Sequence, residues 1–320
     1  MASRAPDIDS MDPLTRSLKN GLVSDLLGRN ALKRESREWV ESVLSDPTSF
    51  IVPVRGQESL FYKKPQPRAA MFSAPEVREK IIPDILIYLG NHQGKNYFAA
   101  SVYDTLGAQQ WEDLGEHLSF ESLWGTGALI DQFEASLLAY ARGMCYWHQR
   151  TRFCGSCGNP THTKRAGHMR ICTNQECKEI YFPRTDPAVI VLVYDGEYCL
   201  LGNKAGWPEN QYSTIAGFVE PGETIEQAVV REVREESGVE VNSLEYHSSQ
   251  PWPFPGSVMV GFHAGAGSRE VTLHDGELKD ARWFSRGEII SAQGGTGWLR
   301  LPSRISIARR LVEDWAEQHR

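Results

Sequence analysis

Between Gly217 and Val239 the chain reads GFVEPGETIEQAVVREVREESGV. Glu232, Glu235 and Glu236 stand at i, i+3 and i+4, a spacing that crowds three carboxylates onto one face of a helix. Like charges so placed cost a few tenths of a kcal/mol per pair, roughly, even on an exposed helix. A divalent cation reverses the sign of that cost, and oxygen-only ligands favour magnesium or manganese over zinc. The chemistry therefore requires a helix, and the flanking residues supply one. Pro221-Gly222 is a turn signal, and Thr224 with Gln227 forms a capping box, so the helix is predicted to start at about Ile225. Ile225, Ala228, Val229 and Val233 recur at spacings of three and four, the stripe of an amphipathic helix on a core, and Gly238 supplies a left-handed stop. A lone acidic string of this kind is ordinarily just a solvated face.

A second cluster is sulfur. Cys154-x2-Cys157 is followed by Cys172-x4-Cys177, and two short pairs on turns supply the four corners of a tetrahedral zinc site. His162 and His168 are possible substitutes for one ligand, although the four cysteines already complete the shell. So short a module has little core, and the metal supplies its folding energy. Lys164, Arg165 and Arg170 between the pairs leave nucleic-acid binding open. Cys145 and Cys199 lie in apolar runs and are read as buried thiols. Further on, Ser249-Gln250-Pro251-Trp252-Pro253-Phe254-Pro255 alternates prolines with aromatics. It reads either as a rigid extended segment whose rings stack on a base, or as a proline-rich turn packed on a core.

The helix also belongs to a longer pattern. Gly217, five residues, Glu223, seven residues, Arg231-Glu232-Val233, then Glu235-Glu236 and Gly238-Val239 resemble the Nudix box at every defining position. With the four-cysteine ribbon and SQPWPFP, the chain from about Phe50 onward resembles the NADH pyrophosphatase subfamily of Nudix hydrolases. The resemblance implies a Nudix α/β/α sandwich with a mixed sheet, preceded by a zinc ribbon and an N-terminal α+β domain. It implies that Glu232, Glu236 and Glu277 bind Mg²⁺ or Mn²⁺, and that Glu235 orients or deprotonates water, although subfamilies differ in which carboxylate is the base. Glu223 would pair with Arg231 to brace loop against helix. Phe218, with Phe182, Gln250, Trp252 and Phe254, would bind substrate. Phe182-Pro183-Arg184 stands where the family often has Tyr-Pro-Arg, a change that keeps stacking and loses a phenol hydrogen bond. The implied reaction splits NADH or NAD into nicotinamide mononucleotide and AMP, with NAD-capped RNA a further substrate of some members, and the implied assembly is a homodimer. The alternatives are another nucleotide conjugate such as ADP-ribose, or a regulatory module that binds nucleotide without catalysis.

The elements around these residues are coarser to read. The 320 residues suffice for more than one core, and a net charge of −7 with interspersed signs excludes a broad basic surface. The N-terminal acids Asp7, Asp9 and Asp12 disfavour a leader, the apolar run Ala188 to Val193 is too short to span a bilayer, and the chain does not end in S-K-L. A cytoplasmic protein is expected. The predicted divisions are a loosely attached helical lead-in (1–45), an α+β domain (46–150), the ribbon (151–182) and the catalytic domain (183–320). In the second division a hairpin is predicted at Phe50 to Val54 and Ser59 to Tyr62, strands at Asp84 to Leu89 and Tyr97 to Tyr103 around a Gly90–Gly94 loop, and a helix from Asp131 to His148. His92 and His117 are read as surface residues. The catalytic domain should close with an amphipathic helix over Arg304 to Gln318. No internal repeat is visible in the sequence.

Overall fold

The computed structural model describes residues 11–80, 85–103, 105–273 and 276–318; Asp7, Asp9 and the Asp84 end of a predicted strand lie outside them. The chain divides into two compact units, Met1–Gly21 with Asp186–Pro251 and Ser257–Arg320, and Leu22–Thr185 with Trp252–Gly256. The expected lead-in is therefore not one piece. Its helix α1 (Pro13–Leu18) is capped by Asp12 and belongs to the catalytic unit. There Arg16 and Asn20 are buried, and Asn20 donates to the Ser248 hydroxyl (3.1 Å) and the Ser249 carbonyl (3.0 Å). Polar side chains that donate to backbone anchor a segment that carries little apolar area.

The other unit opens with α2 (Arg37–Leu44), then β1 (Ser49–Arg55), β2 (Glu58–Tyr62), β3 (Arg68–Ala69), β4 (Phe72–Ser73) and α3 (Ala74–Val77). It continues through β5 (Leu86–His92), β6 (Lys95–Val102), α4 (Thr105–Glu112), β7 (Leu118–Ser122), α5 (Leu123–Thr126) and α6 (Gln132–Arg150). The predicted hairpin and the long helix are present, the latter capped by Asp131. The predicted loop is tighter than expected. Strand pairing runs on to His92, and the chain reverses at Gln93-Gly94, both in the left-handed region (φ 49° and 79°). A three-stranded ribbon of β8 (Thr161–Lys164), β9 (Met169–Cys172) and β10 (Ile180–Tyr181) follows.

The catalytic unit contains β11 (Asp186–Asp195), β12 (Tyr198–Lys204), β13 (Ile215–Phe218), α7 (Ile225–Ser237), β14 (Val241–Trp252), β15 (Ser257–Ala266), β16 (Leu278–Ser285), α8 (Arg286–Gln293) and α9 (Ile307–Glu317). Its sheet is mixed, in the order β14-β15-β11-β12-β16, with β13 also paired to β11 and with β11 parallel to β15. Strand alternation sorts the helices. Val189, Val191 and Val193 pack with Ala228, Val229 and Val233 of α7. Gly261, which partners Ile190, lies against Ile307 and Leu311 of α9. The helices thus cover opposite faces, and each fully buried valine contributes about 1.5–3 kcal/mol.

The two larger sheets share a pairing plan. β1 is parallel to β6 and antiparallel to β2 and β4, as β11 is parallel to β15 and antiparallel to β12 and β13. β5 pairs β6 as β14 pairs β15, and β2 pairs β7 as β12 pairs β16. Pairing topology repeats although the residue pattern does not. The short α3, Ala-Pro-Glu-Val, stands where α7 carries its carboxylates.

Candidate active site

The capping box forms as expected: Gln227 N–H donates to Thr224 Oγ1 (3.2 Å), and Thr224 N–H donates to Gln227 Oε1 (2.9 Å). Gly238 ends the helix at φ 72°, a conformation that favours glycine, and its N–H donates to the Arg234 carbonyl. With the helix held at both ends, its acidic face is set by Arg231. That guanidinium donates to both oxygens of Glu223 (2.8 and 3.0 Å), to Glu232 (2.8 Å), to Glu235 (3.0 Å) and to the Phe218 carbonyl (2.9 Å). One planar, multidentate cation thereby joins the loop to the helix.

The carboxylates differ in environment. Glu223 is held below its ordinary range, first by the Arg231 hydrogen bond. Burial pushes Glu232 upward, against the pull of Arg231. Glu235 is exposed, as is Glu277, while Glu236 is only 1% exposed. The helical spacing suggests an evenly exposed face, but Glu236 points into the protein, where Lys204 Nζ lies 3.7 Å from its Oε1 and 3.6 Å from Glu277 Oε2. The box glycine has a steric reason. A Cβ on Gly217 would stand 1.9 Å from the Glu232 carboxylate, so this strand position is a cradle for that side chain. Carboxylate oxygens are hard donors of the kind Mg²⁺ or Mn²⁺ takes, but among the described residues only the four cysteines bring their ligand atoms within 4.8 Å of one another. A cleft of about 1160 Å³ runs past Glu220, Glu223, Glu226, Arg231 and Glu235, along the solvent side of the helix.

Phe218 is 58% exposed at the end of β13 and Phe182 55% exposed after the ribbon, so each ring is open to a partner. The SQPWPFP segment, read either as an extended strip or as a packed turn, is part strand and part turn. Ser249 to Trp252 end β14, and Pro253, Phe254 and Pro255 lie in the turn that leads to β15. Trp252 and Phe254 lie edge-to-face with each other (5.2 Å) and with Trp124 (5.2 and 5.5 Å), and the buried Arg142 guanidinium covers Phe254 (4.4 Å). Packing, the alternative the residues left open, is what these rings do. Gln250 is a correction as well. It is fully buried, donates to the Gly21 and Ile305 carbonyls (2.6 and 2.8 Å) and accepts from Ile307 N–H (2.8 Å). Both ends of its amide are used within the fold, at the start of α9, which leaves it nothing for substrate.

In the ribbon the four sulfurs lie within 4.8 Å of one another, with Cys154–Cys177 at 3.7 Å and Cys157–Cys172 at 3.4 Å. Tetrahedral zinc with bonds of about 2.3 Å needs sulfurs about 3.8 Å apart, so the site fits the ion. Tyr181 Oη lies 3.1 Å from Cys154 Sγ and accepts from Gly155 N–H (2.9 Å), and this contact pulls the Cys154 thiol down to about 6. The histidines are not needed: His168 is buried with Nε2 on the Tyr88 carbonyl (2.7 Å). The intervening bases differ: Lys164 is exposed. Arg170 is buried, donating to Thr161 Oγ1 (2.7 Å) and O (2.7 Å), and Arg165 pairs with Glu35 (3.4 Å). Cys145 and Cys199 are fully buried, and burial raises both thiols, Cys145 to about 12.

A mixed sheet between helical layers, carrying this loop, helix and acidic face, defines a Nudix hydrolase. Residues 184–300 match the NUDIX domain, residues 149–182 the NADH pyrophosphatase zinc ribbon domain, and residues 48–147 the NADH pyrophosphatase-like rudimentary NUDIX domain. That last match agrees with the repeated strand pairing. The chain is 33% identical over 340 residues to the NAD-capped RNA hydrolase NUDT12 of Macaca fascicularis, an alignment covering 93% of this chain and 73% of that one. The Homo sapiens protein of the same name is 32% identical over the same shares. NAD-capped RNA hydrolase NudC of Mycobacterium tuberculosis is 44% identical over 203 residues, 61% of this chain and 64% of that one. The chain belongs to this zinc-ribbon family of Nudix hydrolases.

Proposed function

We propose that the protein hydrolyses the diphosphate bond of NADH and NAD, giving nicotinamide mononucleotide and AMP, and that it also accepts the NAD cap of RNA. The observation that carries this reading is the intact acidic face of α7 in a chain aligned almost end to end with NAD-capped RNA hydrolases. Glu232, Glu236 and Glu277 would hold Mg²⁺ or Mn²⁺, which when bound neutralises the phosphoryl oxygens and acidifies water. Glu235, exposed on the same helix and paired with Arg231, would orient or accept a proton from the attacking water. Arg231 and Glu223 keep the loop in position, and the Phe218 ring stacks on a base of the substrate. Phe182 lies in the other unit, where its ring is exposed. A homodimer with cytoplasmic residence completes the reading; among the described residues no helix is long and apolar enough to cross a membrane.

The test is direct. Purified protein with Mg²⁺ or Mn²⁺ is offered NADH, NAD, ADP-ribose and NAD-capped RNA, and products are identified with kcat/KM for each. Nicotinamide mononucleotide and AMP without free nicotinamide are expected, because water attacks phosphorus and leaves the glycosidic bonds untouched. A preference for ADP-ribose over both dinucleotides would replace this reading with the broader one of a nucleotide-conjugate hydrolase.

A further inference from the structure

Lys204 is a cation inside the acidic site to which the spacing of the box assigns nothing. It ends β12, and the register with β16 shifts between Asn203 and Lys204, which sets Lys204 against Leu278, the residue after Glu277. Such an irregularity re-aims a side chain. The result is an ammonium 3.7 Å from Glu236 Oε1 and 3.6 Å from Glu277 Oε2, with Glu236 almost wholly buried and Lys204 itself reaching solvent.

The two cations at this site are not equivalent. Arg231 is fixed by bonds of 2.8–3.0 Å to three carboxylates and a backbone carbonyl. Lys204 sits beyond hydrogen-bond distance of both its acids, on a flexible stem whose charge is a point rather than a fork. Two oxygens that share a divalent cation must both approach it to about 2.0–2.6 Å, which an ammonium between them opposes by position and by charge. We propose that Lys204 is an exchangeable counter-ion: it neutralises Glu236 and Glu277 in the metal-free enzyme, gives up that place when a divalent cation is bound, and then pairs with the anionic diphosphate of the substrate. This rests on reading the acidic face as a divalent-metal site. Lys204 is thus a positioning residue for the acids and a binding residue for the substrate, and the competition keeps metal affinity lower than the carboxylates alone would give.

The experiment is a Mn²⁺ titration of the full-length protein by electron paramagnetic resonance, without substrate, comparing wild type, Lys204→Met and Lys204→Arg. Lys204→Met is expected to bind Mn²⁺ on the order of threefold to tenfold more tightly and to melt at lower temperature without metal. Lys204→Arg keeps the charge and should return both readings toward wild type. With Mn²⁺ saturating, Lys204→Met should raise KM for NADH several-fold more than it lowers kcat. Equal or weaker Mn²⁺ binding by the methionine variant overturns the exchange, and an unchanged KM overturns the diphosphate contact. If Lys204→Met does not fold, the Arg and Gln variants decide on the same readings. Wild-type protein that binds no Mn²⁺ would instead refute the metal-site reading itself.

Discussion

At the scale of single residues, the site depends on carboxylates that share a helix but not an environment. Glu236 is buried beside Lys204, so its charge is useful chiefly when a divalent cation answers it. Glu236→Gln is expected to lower kcat by at least about a thousandfold with the fold retained, since metal-based charge stabilisation is worth several kcal/mol. Near-normal turnover with ordinary metal dependence would refute the assignment. Glu232 leads to a different expectation. Burial raises its carboxyl on folding, so stability falls as pH rises from the ordinary carboxylate value through the raised one, and the cost of the charge persists at pH 7. The Glu232→Gln variant without metal should therefore melt at the wild-type temperature or a few degrees higher at pH 7, even as it loses activity. A lower midpoint would mean that the ion pair with Arg231 outweighs burial. Phe218→Ala should raise KM for NADH, with about 1–3 kcal/mol of stacking lost and kcat little changed. Equal losses of kcat and KM effects on every substrate would instead make the ring a packing residue.

At the scale of elements, the ribbon and the helix solve the same problem of local order with little core. The ribbon's three strands comprise ten residues, four in β8, four in β9 and two in β10, and its four sulfurs fit one zinc. Protein prepared without added zinc should carry one equivalent, measurable by metal analysis, and Cys154→Ser should lower the melting temperature and the yield of soluble protein. A folded, metal-free preparation with four titratable thiols at these positions would contradict that. Helix α7 instead relies on its capping box, its glycine stop and its buried valines.

At the scale of the whole molecule, a strand-pairing plan occurs twice, and only the second copy keeps the acidic helix. The catalytic copy is completed from far away in sequence: α1 and Asn20–Gly21 bond to β14, and Gln250 ties Gly21 to the start of α9. Deleting residues 1–21 would take the Gly21 carbonyl from Gln250 and the Asn20 amide from the Ser248 hydroxyl and the Ser249 carbonyl, hydrogen bonds worth about 0.5–1.5 kcal/mol each. The truncated protein is expected to melt several degrees lower, with Glu236-dependent activity surviving where it remains folded. An unchanged midpoint would show that the segment is dispensable.

What the sequence by itself determined is whatever depends on short range. The limits of α7, its cap, its glycine stop, its inward stripe and the four cysteines all follow from spacings of a few residues, because helix periodicity and metal geometry act over that distance. The long fixed spacing of the box likewise made the family legible. Tertiary structure decided the rest. Whether Glu236 faces water or the interior depends on what packs beside the helix, and Lys204 meets Glu277 only because β12 pairs with β16. Gln250 reads as a polar residue in a signature, yet distant carbonyls claim it, and Trp252 and Phe254 are claimed by Trp124 and Arg142. The repeated strand plan left no trace in the residues because a sheet asks only for alternation and fitting pairs, which many sequences supply.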